Sequence, residues 1–120
     1  MKKILSLLSI VVLISCGETN SQVVQNIKAE KFQEFSALND GIIIDVRTEI
    51  EAEEGIIPNA IIADIYQTHE FMSQIQAMDK SKTFYVYCRS GGRSAQACAI
   101  MNQLGFSDTK NLIGGFTQWT

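Results

Sequence analysis

The sequence predicts an α/β fold: a single domain built on a mostly parallel, five-stranded sheet flanked by helices. Three observations carry that expectation. The runs "GIIIDV" (41–46) and "TFYVYC" (83–88) are β-branched or aromatic with few polar interruptions, as strands covered on both faces are. The stretches "AEKFQEFSALN" (29–39), "HEFMSQIQAM" (69–78) and "SAQACAIMNQLG" (94–105) carry apolar residues at helical spacing, and the last ends in a glycine. The two kinds of segment alternate along the chain, which is the βα order of a parallel sheet. Weaker strands at "VVQNI" (23–27), "AIIADI" (60–65) and "KNLI" (110–113) bring the count to five. No internal repeat interrupts the pattern, and 120 residues, 46% of them hydrophobic, leave room for one core.

Taken in order, the first segment is not part of that fold. "MKKILSLLSIVVLISC" has two lysines, an apolar and serine-containing run, and small residues leading to Cys16, the pattern of an export signal. Its apolar run, Ile4 to Ser15, falls short of the roughly 20 residues that span a bilayer. The four residues "LISC" (13–16) resemble the lipobox of bacterial lipoproteins, which implies a lipid on Cys16 as the first residue of the mature chain. The polar "GETNSQ" after it reads as a tether of about 20 Å. The expected organisation is a signal peptide over 1–15, a lipidated cysteine and tether over 16–22, and the functional domain over 23–120. The expected location is outside the cytoplasm, lipid-anchored to a bacterial membrane and facing the periplasm.

Charge and cysteine usage narrow the chemistry. Loss of Lys2 and Lys3 with the leader leaves eight basic against 13 acidic residues, a net charge of −5, which argues against nucleic acid as a partner. With Cys16 set aside, Cys88 and Cys98 allow at most one bridge. There is no CxxC pair, and the single histidine, His69, lies in a polar "QTHE" step near a helix start, so no metal site is expected. Cys98 flanks the apolar stripe of Ala97, Ile100, Met101 and Leu104 and reads as a packing residue, with a resolving partner for Cys88 as the alternative. The acidic residues Glu49, Glu51, Glu53 and Glu54 read as a solvated helix face.

The concentrated signal is "YVYCRSGGRS" (85–94). In parallel sheets ligands bind beyond the carboxyl ends of strands, and Cys88 closes the most hydrophobic candidate strand. The short glycine-rich turn after it lets successive backbone N–H groups curl inward, and the next helix aims its positive end at the same place. Arg89 and Arg93 add positive charge, so the Cys88 thiol is expected to ionise below the free value of about 8.5. The competing reading is a buried cysteine ending a strand above a tight turn; two arginines flanking a diglycine favour the functional one.

These residues resemble a rhodanese domain, the fold of thiosulfate sulfurtransferases and related persulfide carriers. The pieces run in that family's order: "IIIDVRT" (42–48), "GIIPNA" (55–60), "YCRSGGRSA" (87–95), "LGF" (104–106) and "NLIGGFTQW" (111–119). The resemblance implies that Cys88 is the sulfur-carrying nucleophile and that the loop of Arg89, Ser90, Gly91, Gly92, Arg93 and Ser94 cradles the transferred sulfur. It further suggests that Asp45 and Arg47 brace the active-site loop, although a solvated surface pair is the other reading of the same two residues. Phe116 and Trp119 read as packing residues. Two departures stand out: Ile56 replaces a histidine common in the family, and "EIE" (49–51) replaces the usual "PEE".

The activity implied is transfer of sulfane sulfur from thiosulfate or a persulfide to a thiol, cyanide or protein acceptor, without metal or organic cofactor. Alternatives are a sulfur carrier or sensor with little turnover, a protein-docking domain, and arsenate reductase or phosphatase chemistry. The last needs five residues between cysteine and arginine; here Arg93 comes one residue early and Ser94 stands in the arginine's place.

Overall fold

The computed structural model describes residues 23–38 and 41–119. The elements alternate as β1 (Gln25–Ile27), α1 (Ala29–Leu38), β2 (Ile42–Asp45), α2 (Glu49–Ala52), β3 (Ile61–Ile62), α3 (Thr68–Gln76), β4 (Thr83–Tyr87), α4 (Gly92–Gln103), β5 (Asp108–Leu112) and α5 (Gly115–Trp119). Every strand pairing is parallel, in the order β1-β5-β4-β2-β3. The sheet therefore has the expected α/β architecture, with β4 at its centre.

The alternation of β4 explains why both faces need helices. Phe84, Val86 and the following Cys88 join one buried cluster with Phe71 and Ile75 of α3 and Ala97, Cys98 and Met101 of α4. Tyr85 and Tyr87 join a second cluster with Phe32 of α1 and Ile57, against which Phe116 and Trp119 of α5 pack. Phe32 meets Tyr85, Tyr87 and Trp119 edge-on at ring distances of 5.5, 6.4 and 6.0 Å. A strand buried on both sides cannot show a polar alternation, which is why "TFYVY" reads as a continuous apolar run.

Several boundaries move. Cys88 does not close the strand: β4 ends at Tyr87, whose carbonyl still accepts from the Val46 amide, and Cys88 opens the loop. Helix α4 starts at Gly92 rather than Ser94. The expected strand 60–65 keeps only Ile61 and Ile62 in the ladder, although the Ala63 and Ile65 amides still donate to the carbonyls of Asp45 and Val46. Helix α5 had no counterpart in the sequence reading, because five residues are too few to show a period. The expected signal peptide, Cys16 and the tether lie outside the described residues. Among the described residues, no helix is long and apolar enough to cross a membrane.

Candidate active site

The site is built at the carboxyl end of β4. Cys88 is 1% exposed, and its Sγ accepts hydrogen bonds from the Gly91 amide at 3.1 Å and from the Ser94 amide and hydroxyl at 3.4 Å each. Burial pushes the thiol up, but the Ser94 hydroxyl and amide and the Gly91 and Ser90 amides outweigh it, so the thiol ionises below its ordinary range. The loop curls because Gly91, at φ 109°, takes a conformation that L side chains avoid, and in doing so caps α4. The lowered pKa thus arises chiefly from the inward-turned amides that the sequence suggested and from the Ser94 hydroxyl, which leads them, with arginine charge not among the main causes.

The arginines are otherwise engaged. Arg93 makes a two-pronged pair with Glu51, Nη1 to Oε1 at 2.7 Å and Nη2 to Oε2 at 2.9 Å. Arg89 Nε donates to the same carboxylate at 3.0 Å, and its Nη2 lies 3.7 Å from Glu54. Glu51 is therefore no solvated face residue. It also completes a capping box at the start of α2, accepting from the Thr48 amide while the Thr48 hydroxyl accepts from the Glu51 amide. The Arg93 guanidinium holds the Glu51 carboxyl well below the usual carboxylate range, against the opposing effect of burial, with Thr48 and Arg89 adding to it.

Asp45 and Arg47 are both buried, at 0% and 1% exposure. Arg47 donates from Nε to Asp45 Oδ1 at 3.0 Å and from Nη2 to Oδ2 at 2.8 Å, and Nη2 also donates to the Gly55 carbonyl at 2.7 Å. Tyr87 donates its hydroxyl proton to Asp45 at 2.7 Å and accepts from the Ile57 amide at 3.0 Å. Burial raises the Tyr87 pKa, the bond to Asp45 raises it further, and the phenol stays a donor. This cluster ties the segment 55–57 to the sheet. Its route to the cysteine loop runs through Phe116, whose ring lies 4.4 Å under the Arg47 guanidinium.

Helix α5 supplies supports that sequence reasoning missed. The Phe116 amide donates to the Cys88 carbonyl at 2.8 Å, and the Thr117 amide and hydroxyl donate to the Arg89 carbonyl at 3.2 and 3.0 Å. Holding these carbonyls outward leaves the loop's amides facing the sulfur. Asn111 of β5 donates its side-chain amide to the Gly91 carbonyl at 3.3 Å and to Asn26 at 2.8 Å. The signal that could have found α5 is the diglycine at 114–115. Gly115 has φ +60°, and a Cβ there would overlap the backbone of Cys88 and Arg89.

Gly115→Ala should displace the loop and slow reaction at Cys88 by about 10²-fold, the scale of a misplacement near 1 Å. Gly92→Ala, whose Cβ would meet nothing within 4 Å, should keep the wild-type melting temperature in a thermal melt. Cys88 alkylation followed against pH should show its inflection below about 8.5. Because the bonds from Ser94 favour the thiolate, Ser94→Ala should move that inflection upward. Cys98, fully buried and pushed up to about 12 by burial, should stay unmodified while the protein is folded.

The fold and site define a class, and comparison with known proteins agrees. A profile of the Rhodanese-like domain matches residues 19–120, so the chain belongs to the rhodanese-like family. It is 37% identical over 87 residues to a sulfurtransferase of Allochromatium vinosum, covering 72% of this chain and 78% of that protein. It is 38% identical over 77 residues to a putative sulfurtransferase of Bacillus subtilis, covering 64% and 71%. A tRNA uridine(34) hydroxylase of Wolbachia pipientis is 34% identical over 92 residues, but the match spans only 34% of that protein. Among solved structures, a rhodanese-like domain protein from Staphylococcus aureus superposes with a TM-score of 0.71 at 26% identity, over 81% of this chain and 92% of that one. The family and its sulfurtransferase members support a sulfur-transferring enzyme.

Proposed function

We propose that the protein moves sulfane sulfur from thiosulfate or a persulfide to a nucleophilic acceptor through a persulfide on Cys88. The observation that carries this reading is a buried, low-pKa thiol whose sulfur receives three hydrogen bonds at the carboxyl end of a parallel sheet. The Cys88 thiolate attacks the donor's outer sulfur. A new S–S bond forms, the donor's S–S bond breaks, and sulfite or a thiolate leaves with its electron pair. The amides and hydroxyl of the Gly91–Ser94 turn stand ready for the negative charge on the transferred sulfur, with no rearrangement needed. An acceptor thiolate or cyanide then attacks the outer sulfur, and Cys88 departs as thiolate. In this reading Arg89, Ser90, Gly91, Gly92, Arg93 and Ser94 form the binding loop, while Asp45 and Arg47 act as positioning residues. The acceptor is a small thiol, cyanide or a protein, and the export signal and lipid on Cys16 would place this chemistry at a bacterial membrane.

Intact mass of residues 17–120 tests the reading. Incubation with thiosulfate or an organic persulfide should add about 32 Da, one sulfur atom, on the peptide containing Cys88. Cyanide should remove it as thiocyanate. A reduced thiol that gains no sulfur from either donor overturns the assignment.

A further inference from the structure

We propose that Glu51 sets the donor class of this site, so that sulfur comes from an organic sulfane compound carrying at most one negative charge rather than from inorganic thiosulfate. The proposal rests on the sulfurtransferase reading and narrows it. Arg89 and Arg93 are the cations of the cysteine loop, and a loop with two free guanidinium groups would draw a dianion towards a thiolate. Here neither group is free. One carboxylate, 18% exposed, takes both prongs of Arg93 and the Nε of Arg89, and Glu54 lies 3.7 Å from Arg89 Nη2. Two positive charges thus face two negative ones. With the Cys88 thiolate added, the mouth is net negative and disfavours a dianion most.

The surface beside the loop points the same way. Tyr66, whose ring lies 5.4 Å from the Arg93 guanidinium, lines a groove of about 600 Å³ together with Ile50, Ile62, Glu49, Asp64 and Glu70. The three hydrophobic residues are exposed. An inorganic anion has no use for their apolar surface, and the carboxylates among them repel it. An organic group attached to the sulfane sulfur could cover that surface, and a positive or neutral one suits the carboxylates. Transfer remains balanced as above: the Cys88 thiolate takes the outer sulfur, and the organic thiolate or sulfinate leaves with the electrons of the broken S–S bond.

The test compares thiosulfate with methanethiosulfonate, which offers the same outer sulfur with one negative charge fewer. Sulfur loading of Cys88 is timed by intact mass for wild type and Glu51→Gln, a change that keeps the side chain's size, removes the charge and leaves one acceptor where the arginines now have two. In wild type, raising the salt from about 0.01 to about 0.15 M shortens the Debye length from about 30 to about 8 Å. Loading from thiosulfate should then speed up, and more steeply than loading from methanethiosulfonate. Glu51→Gln should raise the thiosulfate-to-methanethiosulfonate rate ratio about tenfold. Thiosulfate loading that slows with salt, or a ratio unchanged in Glu51→Gln, overturns the proposal while leaving the sulfurtransferase intact. If the variant does not fold, the sign of the wild-type salt dependence decides. No loading of Cys88 from thiosulfate, methanethiosulfonate or an organic persulfide removes the sulfurtransferase reading and this proposal with it.

Discussion

Cys88→Ser should take up no sulfur from any donor, while its melting temperature stays within a few degrees of wild type. The two halves of that result have one cause. A serine oxygen can accept the bonds that Gly91 and Ser94 now give to the sulfur, so the loop keeps its partners. A hydroxyl, however, is not ionised near neutral pH, and among the described residues the groups on the sulfur, the Gly91 amide and the Ser94 amide and hydroxyl, include no general base to activate it. Sulfur loading should fall by at least about 10³-fold, to the background of the intact-mass measurement. The measurement also discriminates between thiols. Cys98 is fully buried with its ionisation pushed up to about 12, so sulfur found on a Cys88→Ser protein would contradict the assigned nucleophile.

The largest stability effect should come from Asp45→Ala. Removing the carboxylate leaves the Arg47 guanidinium buried without its counter-charge and takes away the acceptor of the Tyr87 hydroxyl. Breaking a buried pair from one side costs about 3–5 kcal/mol. At about 4 °C or more per kcal/mol in a domain of this size, the melting temperature should drop by more than roughly 10 °C. The double variant Asp45→Ala, Arg47→Ala should lose less than the sum of the two single changes, because it strands no charge. Thermal melts of the four proteins close that cycle. Additive losses would mean that Asp45 and Arg47 act independently, against the geometry described above.

Much of this molecule was legible before any coordinates. The strands around 41–46 and 83–88 and the three longer helices follow from apolar content and period, because a doubly covered parallel sheet demands continuous apolar strands and amphipathic helices. Cys88 and the turn to Ser94 stand out for the same local reason: a strand end, two glycines and a helix start adjoin in one stretch of chain. The weak strand at 60–65 was legible only in part, since two residues in a ladder carry almost no pattern.

What the sequence by itself determined was therefore local: the α/β class, the order of the main elements, and the thiol with its glycine-rich turn. The tertiary structure decided everything that depends on residues distant along the chain. Glu51 lies 42 positions from Arg93, and nothing in an acidic run says which carboxylate will turn inward to bind it. Asp45 and Tyr87 are likewise 42 residues apart, and only the parallel register of β2 against β4 puts them opposite each other. The clamp of α5 on the Cys88 and Arg89 carbonyls needs Gly115 to pass within contact of a loop more than 20 residues earlier. The physical reason is common to all three: a period reports which face of an element is buried, whereas an ion pair or a backbone approach is chosen by which elements the sheet brings side by side.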